Sequence, residues 1–279
     1  MSRIFDALQQ SEFEGAGFDF STPSVAGTAT PAGEVESDDT GPDFPSVAVS
    51  VSPSSRLVCL TNEESLGAEK FRFLAVRLRQ LHQSRPIKTL LITSTIPEEG
   101  KSMVSGNLAV ALARKKQQKI LLLEGDLRRP VLAARLGLHH LAGLSEWLRG
   151  SPTTIRNIYH LEELGFWFMP AGKPPENPLE LMQSRRLADL LDQLTGWFDW
   201  IVIDSPPVLP LADTTVWTRL VDGMVLVARE GASEKRQLKR SLESLDKTKL
   251  LGVIFNGCSS SDHTSYYQRY GPVRPSFQP

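Results

Sequence analysis

The chain has 279 residues, of which 41% are hydrophobic and 23% charged, and its formal net charge at pH 7 is −1. These values are typical of a water-soluble globular protein, and the balanced charge gives no basic field that would favour nucleic acid as a partner. Two cysteines, Cys59 and Cys258, are too few for a disulfide framework and predict a reducing compartment. No apolar run approaches the roughly 20 residues of a membrane-spanning helix, so the sequence predicts a cytoplasmic protein.

The N-terminal part of the chain differs in composition from the rest. Residues 1–10 carry Ile4, Phe5 and Leu8 at helical spacing, which fits either a short amphipathic helix or a frayed terminus. From residue 11 onward Gly, Pro, Ser, Thr and acidic residues dominate, with little apolar periodicity. We therefore predict a disordered segment over residues 1–55, a folded domain over 56–258 and a flexible tail over 259–279.

Within residues 56–258, short apolar strands alternate with helical patterns. The predicted strands cover residues 89–93, 119–124, 166–170, 200–204, 223–228 and 249–256. The predicted helices cover residues 66–83, 102–115, 178–195, 214–221 and 233–247, with a short helical region before the third strand. This alternation predicts an α/β fold of three αβα layers, built on a mainly parallel, doubly wound sheet.

Residues 94–102 read Ser-Thr-Ile-Pro-Glu-Glu-Gly-Lys-Ser and lie between a predicted strand and a predicted helix. This layout is typical of a P-loop, in which backbone N–H groups hold phosphate oxygens. Lys101 would reach the outer phosphates, and the Ser102 hydroxyl would hold Mg²⁺. The loop departs from the usual pattern at Thr95, where a first glycine is common, and at Glu98, where a flexible glycine is expected. The sequence therefore predicts a P-loop NTPase.

Two further strand ends carry acidic groups. Glu124 and Asp126 follow the second predicted strand, with Arg128 and Arg129 next, and Asp204 ends the fourth. In a doubly wound sheet, ligands bind beyond the carboxyl ends of the strands. Acids at those ends can supply oxygen ligands for Mg²⁺. Each acid alone is as well explained as a helix N-cap, but their occurrence with the P-loop favours a nucleotide site.

Over about residues 57–258 the chain resembles the bacterial protein-tyrosine kinase family, the cytoplasmic partners of polysaccharide chain-length regulators. The P-loop residues that match the family are Ser94, Pro97, Glu99, Gly100, Lys101 and Ser102. Asp126 and Arg128 match its Asp-x-Asp-x-Arg motif, and residues 170–181 match its Pro-x-Asn-Pro-x-Glu-Leu segment. Asp204-Ser205-Pro206-Pro207 with Asp213 resembles its Walker B region. The opening Met-Ser-Arg-Ile-Phe-Asp-Ala-Leu resembles the branch linked to exosortase-type exopolysaccharide loci.

The resemblance implies an ATP-dependent protein-tyrosine autokinase with ATP and Mg²⁺ at one site. Lys101 would stabilise charge on the transferring phosphoryl group, while Ser102, Asp126 and Asp204 would hold the metal. Asp126, with Glu124, would complete the metal shell or accept the tyrosine proton. The implied nucleotide-binding residues are Ser94, Pro97, Glu99, Gly100, Lys101, Ser102, Met103 and Asn256, of which Asn256 would contact adenine.

The same resemblance implies a set of partners. Tail tyrosines Tyr266, Tyr267 and Tyr270 would accept phosphate from a neighbouring subunit, although three tyrosines also fit ordinary tail composition. Glu69 and Arg72 match two positions of the family's oligomerisation motif. A membrane chain-length regulator would recruit the protein to the inner face of the plasma membrane, and a cognate tyrosine phosphatase would reverse the reaction. The expected function is regulation of exopolysaccharide synthesis and export.

Two other functions remain open from the residues. A partitioning-type P-loop ATPase would use the same fold as a nucleotide-dependent switch, but such proteins carry an early P-loop lysine where this chain has Ile96. The second alternative is a catalytically weak, nucleotide-binding scaffold subunit. Glu98 would bring a charge close to the phosphates, and Glu124 replaces the family's aspartate with a longer side chain.

Overall fold

The computed structural model describes residues 42–115, 117–150, 154–209 and 212–258. The helix predicted at 1–10 and the flexible tail predicted at 259–279 lie outside these residues. Among the described residues, no helix is both long enough and apolar enough to span a membrane.

A seven-stranded sheet forms the centre of the domain. Its strands are β1 Thr89–Ser94, β2 Ile120–Glu124, β3 Tyr159–Leu161, β4 Phe166–Met169, β5 Trp200–Asp204, β6 Gly223–Arg229 and β7 Leu250–Asn256. Their order is β3-β4-β2-β5-β1-β6-β7, and only the β3–β4 pair is antiparallel. The central strands β1, β2 and β5 are buried along their whole length, which explains their nearly continuous apolar sequences. The predicted, mainly parallel sheet is confirmed.

Helices cover both faces of this sheet. They are α1 Val58–Thr61, α2 Leu66–Ser84, α3 Lys101–Ala113, α4 Leu132–Arg135, α5 Leu144–Arg149, α6 Pro178–Met182, α7 Arg185–Trp197, α8 Asp213–Leu220 and α9 Lys235–Ser244. Helices α1 to α4 pack into the core on one face, and α5 to α9 pack into the core on the other. Helix α3 is apolar around most of its circumference because it lies between the sheet and α2.

The prediction of one continuous helix over residues 178–195 is wrong. The segment is divided into α6 and α7 at Ser184, whose backbone is extended with φ −65° and ψ 144°. The Ser184 hydroxyl donates to the carbonyl oxygen of Leu181 at 2.8 Å, so it satisfies an acceptor at the end of α6. A serine in this position favours a helix start over a helix interior.

Residues 42–55, which we call the N-terminal strap, are ordered, so the predicted start of the folded region at residue 56 is too late. Ser46 forms a parallel bridge with His160 of β3, and Val47 N donates to His160 O at 3.0 Å. Phe44 packs on Trp197 and Phe198, with ring centroids 5.9 and 6.1 Å away. The strap therefore covers the β3 edge of the sheet, where unpaired backbone groups would otherwise be exposed.

The sequence signal for the strap is a short alternation. Val47, Val49 and Val51 pack against the core, while the intervening Ala48 and Ser50 are exposed. Period-two alternation of this kind is typical of an extended segment with one buried face. It was obscured by the polar composition of the residues around it.

Candidate active site

The carboxyl ends of three adjacent strands bring the predicted site residues together. Strand β5 lies between β1 and β2, and Asp204 is in register with Ile92 on one side and Glu124 on the other. The P-loop leaves the end of β1, and α3 begins at Lys101. A cleft of about 1720 Å³ opens at this edge, bounded by the P-loop, α2, the end of β7 and the segment leading into α4.

Lys101 is the centre of a buried ionic cluster. Its Nζ lies 2.9 Å from Asp126 Oδ2 and 3.4 Å from Ser102 Oγ. Burial alone would lower the pKa of the Lys101 ammonium, but the carboxylates of Asp204 and Asp126 outweigh this effect and raise that pKa above its ordinary value. Lys101 is therefore a permanent cation at the base of the cleft.

Asp204 is the most deeply buried of these acids. Its Oδ1 accepts a long hydrogen bond from Ser105 Oγ at 3.4 Å, and its Oδ2 has no partner among the described residues. Burial raises the pKa of this carboxyl, although the Lys101 charge opposes the shift. A buried acceptor without a partner is costly, so Asp204 has capacity for a further donor or a hydrated cation.

The donor set around Asp204 fits Mg²⁺. The Ser102 hydroxyl and the carboxylates of Asp126 and Asp204 are all oxygen groups, the ligand type that Mg²⁺ prefers. In the described part of the chain no group of three or more His, Cys, Asp or Glu side chains could form a complete cage. Phosphate and water oxygens would have to complete the shell, as is usual for Mg²⁺ at nucleotide sites.

The P-loop backbone requires left-handed conformations at two positions. Gly100 has φ 98°, and a Cβ built on it would lie 2.2 Å from Asn256 Nδ2. Glu98 has φ 67°, in a region that favours glycine. The sequence-based concern about Glu98 is thus supported by the backbone, because a glutamate occupies a position that a glycine would fill with less strain. Its side chain is exposed at the cleft.

Glu99 and Asn256 brace the P-loop from behind. The buried Glu99 carboxylate accepts hydrogen bonds from Ile96 N at 2.9 Å and Arg229 N at 3.2 Å, and also from the Ser233 hydroxyl. Asn256 Nδ2 donates to Glu99 O at 2.9 Å. These bonds tie the loop to the ends of β6 and β7. The resemblance assigned both residues to the nucleotide, whereas the structure shows the Glu99 carboxylate and the Asn256 amide nitrogen bound to protein groups.

The remaining predicted nucleotide-binding residues lie in or beneath the cleft. Pro97 and Met103 line it. Ser94 is buried below, and its hydroxyl donates to Ile96 O at 2.7 Å within the loop. The nearby Thr95 Oγ1 is buried without a partner among the described residues. Ser94 therefore shapes the loop through its side chain.

Glu124 lies beside this cluster, but its carboxylate binds the backbone. One oxygen accepts from Leu132 N and the other from Ala171 N, the latter at 3.2 Å. Burial raises the pKa of Glu124 to about 7, against the opposing effect of these backbone hydrogen bonds. The longer side chain thus joins the end of β2 to α4 and to the segment after β4. Through these backbone hydrogen bonds, the Glu124 side chain stabilises the segments on either side of the Asp126 loop.

An ion pair behind the site joins two motifs that the sequence analysis treated separately. Arg128 donates to both carboxylate oxygens of Asp213, with Nη2 3.0 Å from Oδ1. Asp213 is fully buried at the start of α8, where a negative charge is also favoured by the helix dipole. The pair fixes the turn after Asp126, and Asp126 Oδ1 accepts from Arg128 N at 3.3 Å.

Trp217 is a support of the site that sequence analysis missed. Its indole Nε1 donates to Gly125 O at 3.3 Å, and a Cβ on Gly125 would lie 2.7 Å from the indole ring. Gly125 is therefore required where the tryptophan packs under the Asp126 loop. A large apolar residue in a helix pattern is expected in a core, so nothing in the sequence connected Trp217 with the P-loop.

The other predicted site residues lie outside this cluster. Glu69 and Arg72 form an ion pair on α2, and both side chains are partly exposed. Tyr266, Tyr267 and Tyr270 lie outside the described residues. The structure therefore brings together the predicted phosphate and metal residues, and it leaves the predicted acceptor tyrosines unplaced.

Known proteins resemble this chain in sequence and in fold. YwqD of Bacillus subtilis (strain 168), a tyrosine-protein kinase, is 32% identical over 212 residues, which are 75% of this chain and 89% of YwqD. The solved kinase domain of Escherichia coli tyrosine kinase Etk has a TM-score of 0.67 at 29% identity, covering 74% of this chain and 82% of that one. A ParA-family ATPase from Chlorobium tepidum TLS has a TM-score of 0.53 at 17% identity, covering 64% and 78%, which shows the fold alone. No protein-family model matches.

The sheet order, the P-loop and the acidic strand ends define a P-loop NTPase. With a relative 32% identical across 75% of its length, the chain belongs to the bacterial tyrosine-protein kinase family. The prediction of an enzyme of the protein-tyrosine kinase class is confirmed by these relatives. The ParA-type similarity is limited to the fold.

Proposed function

We propose that this protein is an ATP- and Mg²⁺-dependent autokinase that phosphorylates its C-terminal tail tyrosines, Tyr266, Tyr267 and Tyr270. The observation that carries the proposal is the buried cluster of Lys101, Asp126 and Asp204 at the head of the P-loop. Charge-stabilising groups that are fixed before substrate binds are the main source of catalysis in phosphoryl transfer.

In the proposed reaction, a tyrosine hydroxyl oxygen forms a bond to the γ-phosphorus of ATP. The bond between that phosphorus and the β–γ bridging oxygen breaks, and ADP leaves with the electron pair. Asp126 accepts the hydroxyl proton, and the Lys101 ammonium stabilises the negative charge that develops on the phosphoryl oxygens. Ser102 and Asp204 would hold Mg²⁺, which when bound would supply positive charge to neutralise the phosphates. The braced P-loop supplies backbone donors to the phosphates.

The proposed biological role is regulation of exopolysaccharide synthesis and export. A membrane chain-length regulator would recruit the cytoplasmic kinase to the inner face of the membrane, and a cognate tyrosine phosphatase would reset it. Self-association through the face of α2 is supported by the exposed apolar side chains Phe73 and Val76 beside Glu69 and Arg72.

The test is to incubate the full chain with ATP and Mg²⁺ and to locate phosphotyrosine by peptide mass spectrometry. We expect phosphate on Tyr266, Tyr267 or Tyr270, and we expect the signal to disappear when all three are changed to phenylalanine. The same incubation is repeated with a membrane activator fragment, which tests whether phosphorylation requires the partner. Phosphate transfer to none of these tyrosines under either condition would contradict the proposal.

The alternative of a catalytically weak scaffold rests on Glu98, whose charge stands at the cleft on a strained backbone. A scaffold would bind ATP with Mg²⁺ but transfer no phosphate. A partitioning-type switch would hydrolyse ATP with no phosphotyrosine formed. Product analysis in the same incubation therefore separates the three functions.

A further inference from the structure

The cleft carries more positive charge than the P-loop cluster accounts for. Among the described residues that line it, the acids are Glu98 and Asp126. The cations that line it are Arg56, Lys70, Arg77, Lys101, Arg128, Arg129, Arg135 and Arg229. Such an excess of one sign in a concave site concentrates anions.

Some of these cations are already neutralised within the chain. Lys101 pairs with Asp126, and Arg128 pairs with Asp213. Arg56 and Arg129 have exposed side chains and no ion pair to any described residue. These two arginines are therefore available to an anion that enters the cleft.

Arg56 and Arg129 both line the cleft, and we call the two residues together the arginine wall. Arg135 of α4 joins its two parts, since its Nη1 donates to Ser55 O at 2.7 Å, directly before Arg56. Arg129 is positioned by the active-site loop, because its backbone N donates to Asp126 Oδ1 at 3.1 Å. The Arg129 backbone is thus hydrogen-bonded to Asp126, the carboxylate that we propose as the acceptor of the tyrosine proton.

The backbone at Arg56 is held in an uncommon conformation. Its φ is 61°, in the left-handed region, and its carbonyl oxygen accepts from Asn107 Nδ2 at 3.0 Å. Arg56 follows the short 3₁₀ turn Pro53–Ser55, and a left-handed residue often closes such a turn. The turn and the bond to Asn107 of α3 therefore fix the backbone from which the Arg56 side chain extends.

The charge of the tail identifies the anion that this wall would recognise. Between residues 259 and 279 there is a single acid, Asp262, against Arg269 and Arg274. The unmodified tail is therefore not an anionic ligand. Tyr266 and Tyr267 are adjacent, so phosphate on one places nearly two negative charges beside the other acceptor hydroxyl. Arginine suits such a phosphate because its guanidinium can donate two parallel hydrogen bonds.

We propose that the arginine wall is a phosphotyrosine-binding subsite, which makes a tail already phosphorylated at one tyrosine a better substrate than an unmodified tail. This inference rests on the proposed autokinase function and specifies its preferred substrate. The second transfer follows the same bond changes as the first: the adjacent tyrosine oxygen bonds to the γ-phosphorus, ADP leaves, and Asp126 takes the proton. The bound phosphotyrosine itself does not react.

The test uses two synthetic peptides of residues 259–279, one unmodified and one phosphorylated at Tyr267. The enzyme is the full chain with its own Tyr266, Tyr267 and Tyr270 changed to phenylalanine, so that only the peptide accepts phosphate. We expect kcat/KM for the phosphorylated peptide to exceed that for the unmodified peptide at least tenfold. The advantage should shrink as salt is raised, because the recognition is electrostatic.

The decisive variant is Arg56→Gln with Arg129→Gln. At saturating ATP it should reduce kcat/KM for the phosphorylated peptide to the level of the unmodified peptide, and it should weaken ATP binding by a smaller factor, because it also removes charge from the nucleotide cleft. The matched control is Arg236→Gln with Arg240→Gln, which removes the same charge from an exposed face of α9 and should change neither rate. Lysine at positions 56 and 129 should give an intermediate rate, since it keeps the charge but not the paired donors.

Direct binding separates this inference from the proposed function. Fluorescence anisotropy of the labelled phosphopeptide on the full chain measures the subsite without catalysis, and binding should be lost in the 56/129 variant and kept in the 236/240 variant. If neither peptide is phosphorylated but this binding pattern holds, the autokinase proposal fails and the subsite stands. Equal rates for the two peptides, no selective binding, or a matching loss of ATP affinity in the 56/129 variant would overturn the subsite.

Discussion

Glu98 holds a backbone conformation that favours glycine, and its carboxylate is exposed at the cleft. Two effects follow for nucleotide binding. The left-handed φ costs on the order of 1 kcal/mol for a residue with a Cβ, and the negative charge opposes the phosphates. Both effects are local, so they can be separated by substitution at this position.

We expect Glu98→Gly to stabilise the fold by about 0.5–1 kcal/mol and to tighten ATP binding. Glu98→Gln should tighten ATP binding without stabilising the fold, because it removes the charge and keeps the Cβ. Chemical unfolding and equilibrium titration with ATP and Mg²⁺ measure the two quantities. Unchanged ATP affinity in both variants would show that the Glu98 charge does not act on the phosphates.

Gly100 is required by both its φ and its surroundings. An alanine methyl group built here would lie 2.2 Å from the Asn256 amide nitrogen, which is a clash, and the backbone φ of 98° is unfavourable for alanine. We expect Gly100→Ala to destabilise the fold by more than about 1 kcal/mol and to abolish ATP binding, since the P-loop and the Asn256–Glu99 bond must both shift. Gly196→Ala is the control, because Gly196 lies in α7 with open space around it and should become more stable by about 0.5–1 kcal/mol.

At the scale of elements, the N-terminal strap adds packing to the core and closes the β3 edge. We expect Val49→Ala to lower the free energy of unfolding by about 1 kcal/mol, because Val49 is partly buried against the core. Ala48→Ser changes an exposed neighbour and should have almost no effect. Thermal unfolding measures the stability of the two variants. Equal stability of the two would mean that the strap contributes little packing to the core.

Sequence patterns predicted some elements well and missed others for physical reasons. Strands β1, β2 and β5 have continuous apolar runs because they are buried on both faces, so their positions were predictable. Strand β3 was not, because it is three residues long and its identity depends on pairing with β4 and the strap. The strap's alternation lies in a polar context whose composition suggests disorder.

The candidate site was predictable to a similar, partial degree. That Lys101, Ser102, Asp126 and Asp204 lie close to one edge of the sheet was predictable, because they stand at strand ends and in a phosphate loop. Their roles in binding and transfer stay predictions. The contacts of Glu99, Asn256 and Trp217 depend on how distant segments approach each other. Side-chain direction of this kind is not encoded in local spacing.

At the scale of the whole molecule, nucleotide binding and folding are linked. The unpartnered Asp204 oxygen should gain a partner once ATP and Mg²⁺ are present. A ligand at about 100 times its Kd stabilises the native state by about 2.7 kcal/mol, which is a rise in Tm of about 5–10 °C for a domain of this size. Differential scanning fluorimetry should show this rise with ATP and Mg²⁺, and a smaller one when Mg²⁺ is chelated. An identical shift with and without Mg²⁺ would contradict the metal assignment.

The central claim is that Lys101, at the head of the P-loop, drives phosphoryl transfer from ATP to tyrosine. Its most direct test is the rate of phosphotyrosine formation by the full chain and by Lys101→Met, with ATP and Mg²⁺. We predict tyrosine phosphorylation in the unmodified chain and a loss of at least 100-fold in Lys101→Met, with an unchanged circular dichroism spectrum. Phosphotyrosine formed at a comparable rate by the folded Lys101→Met variant would contradict this assignment of the active site.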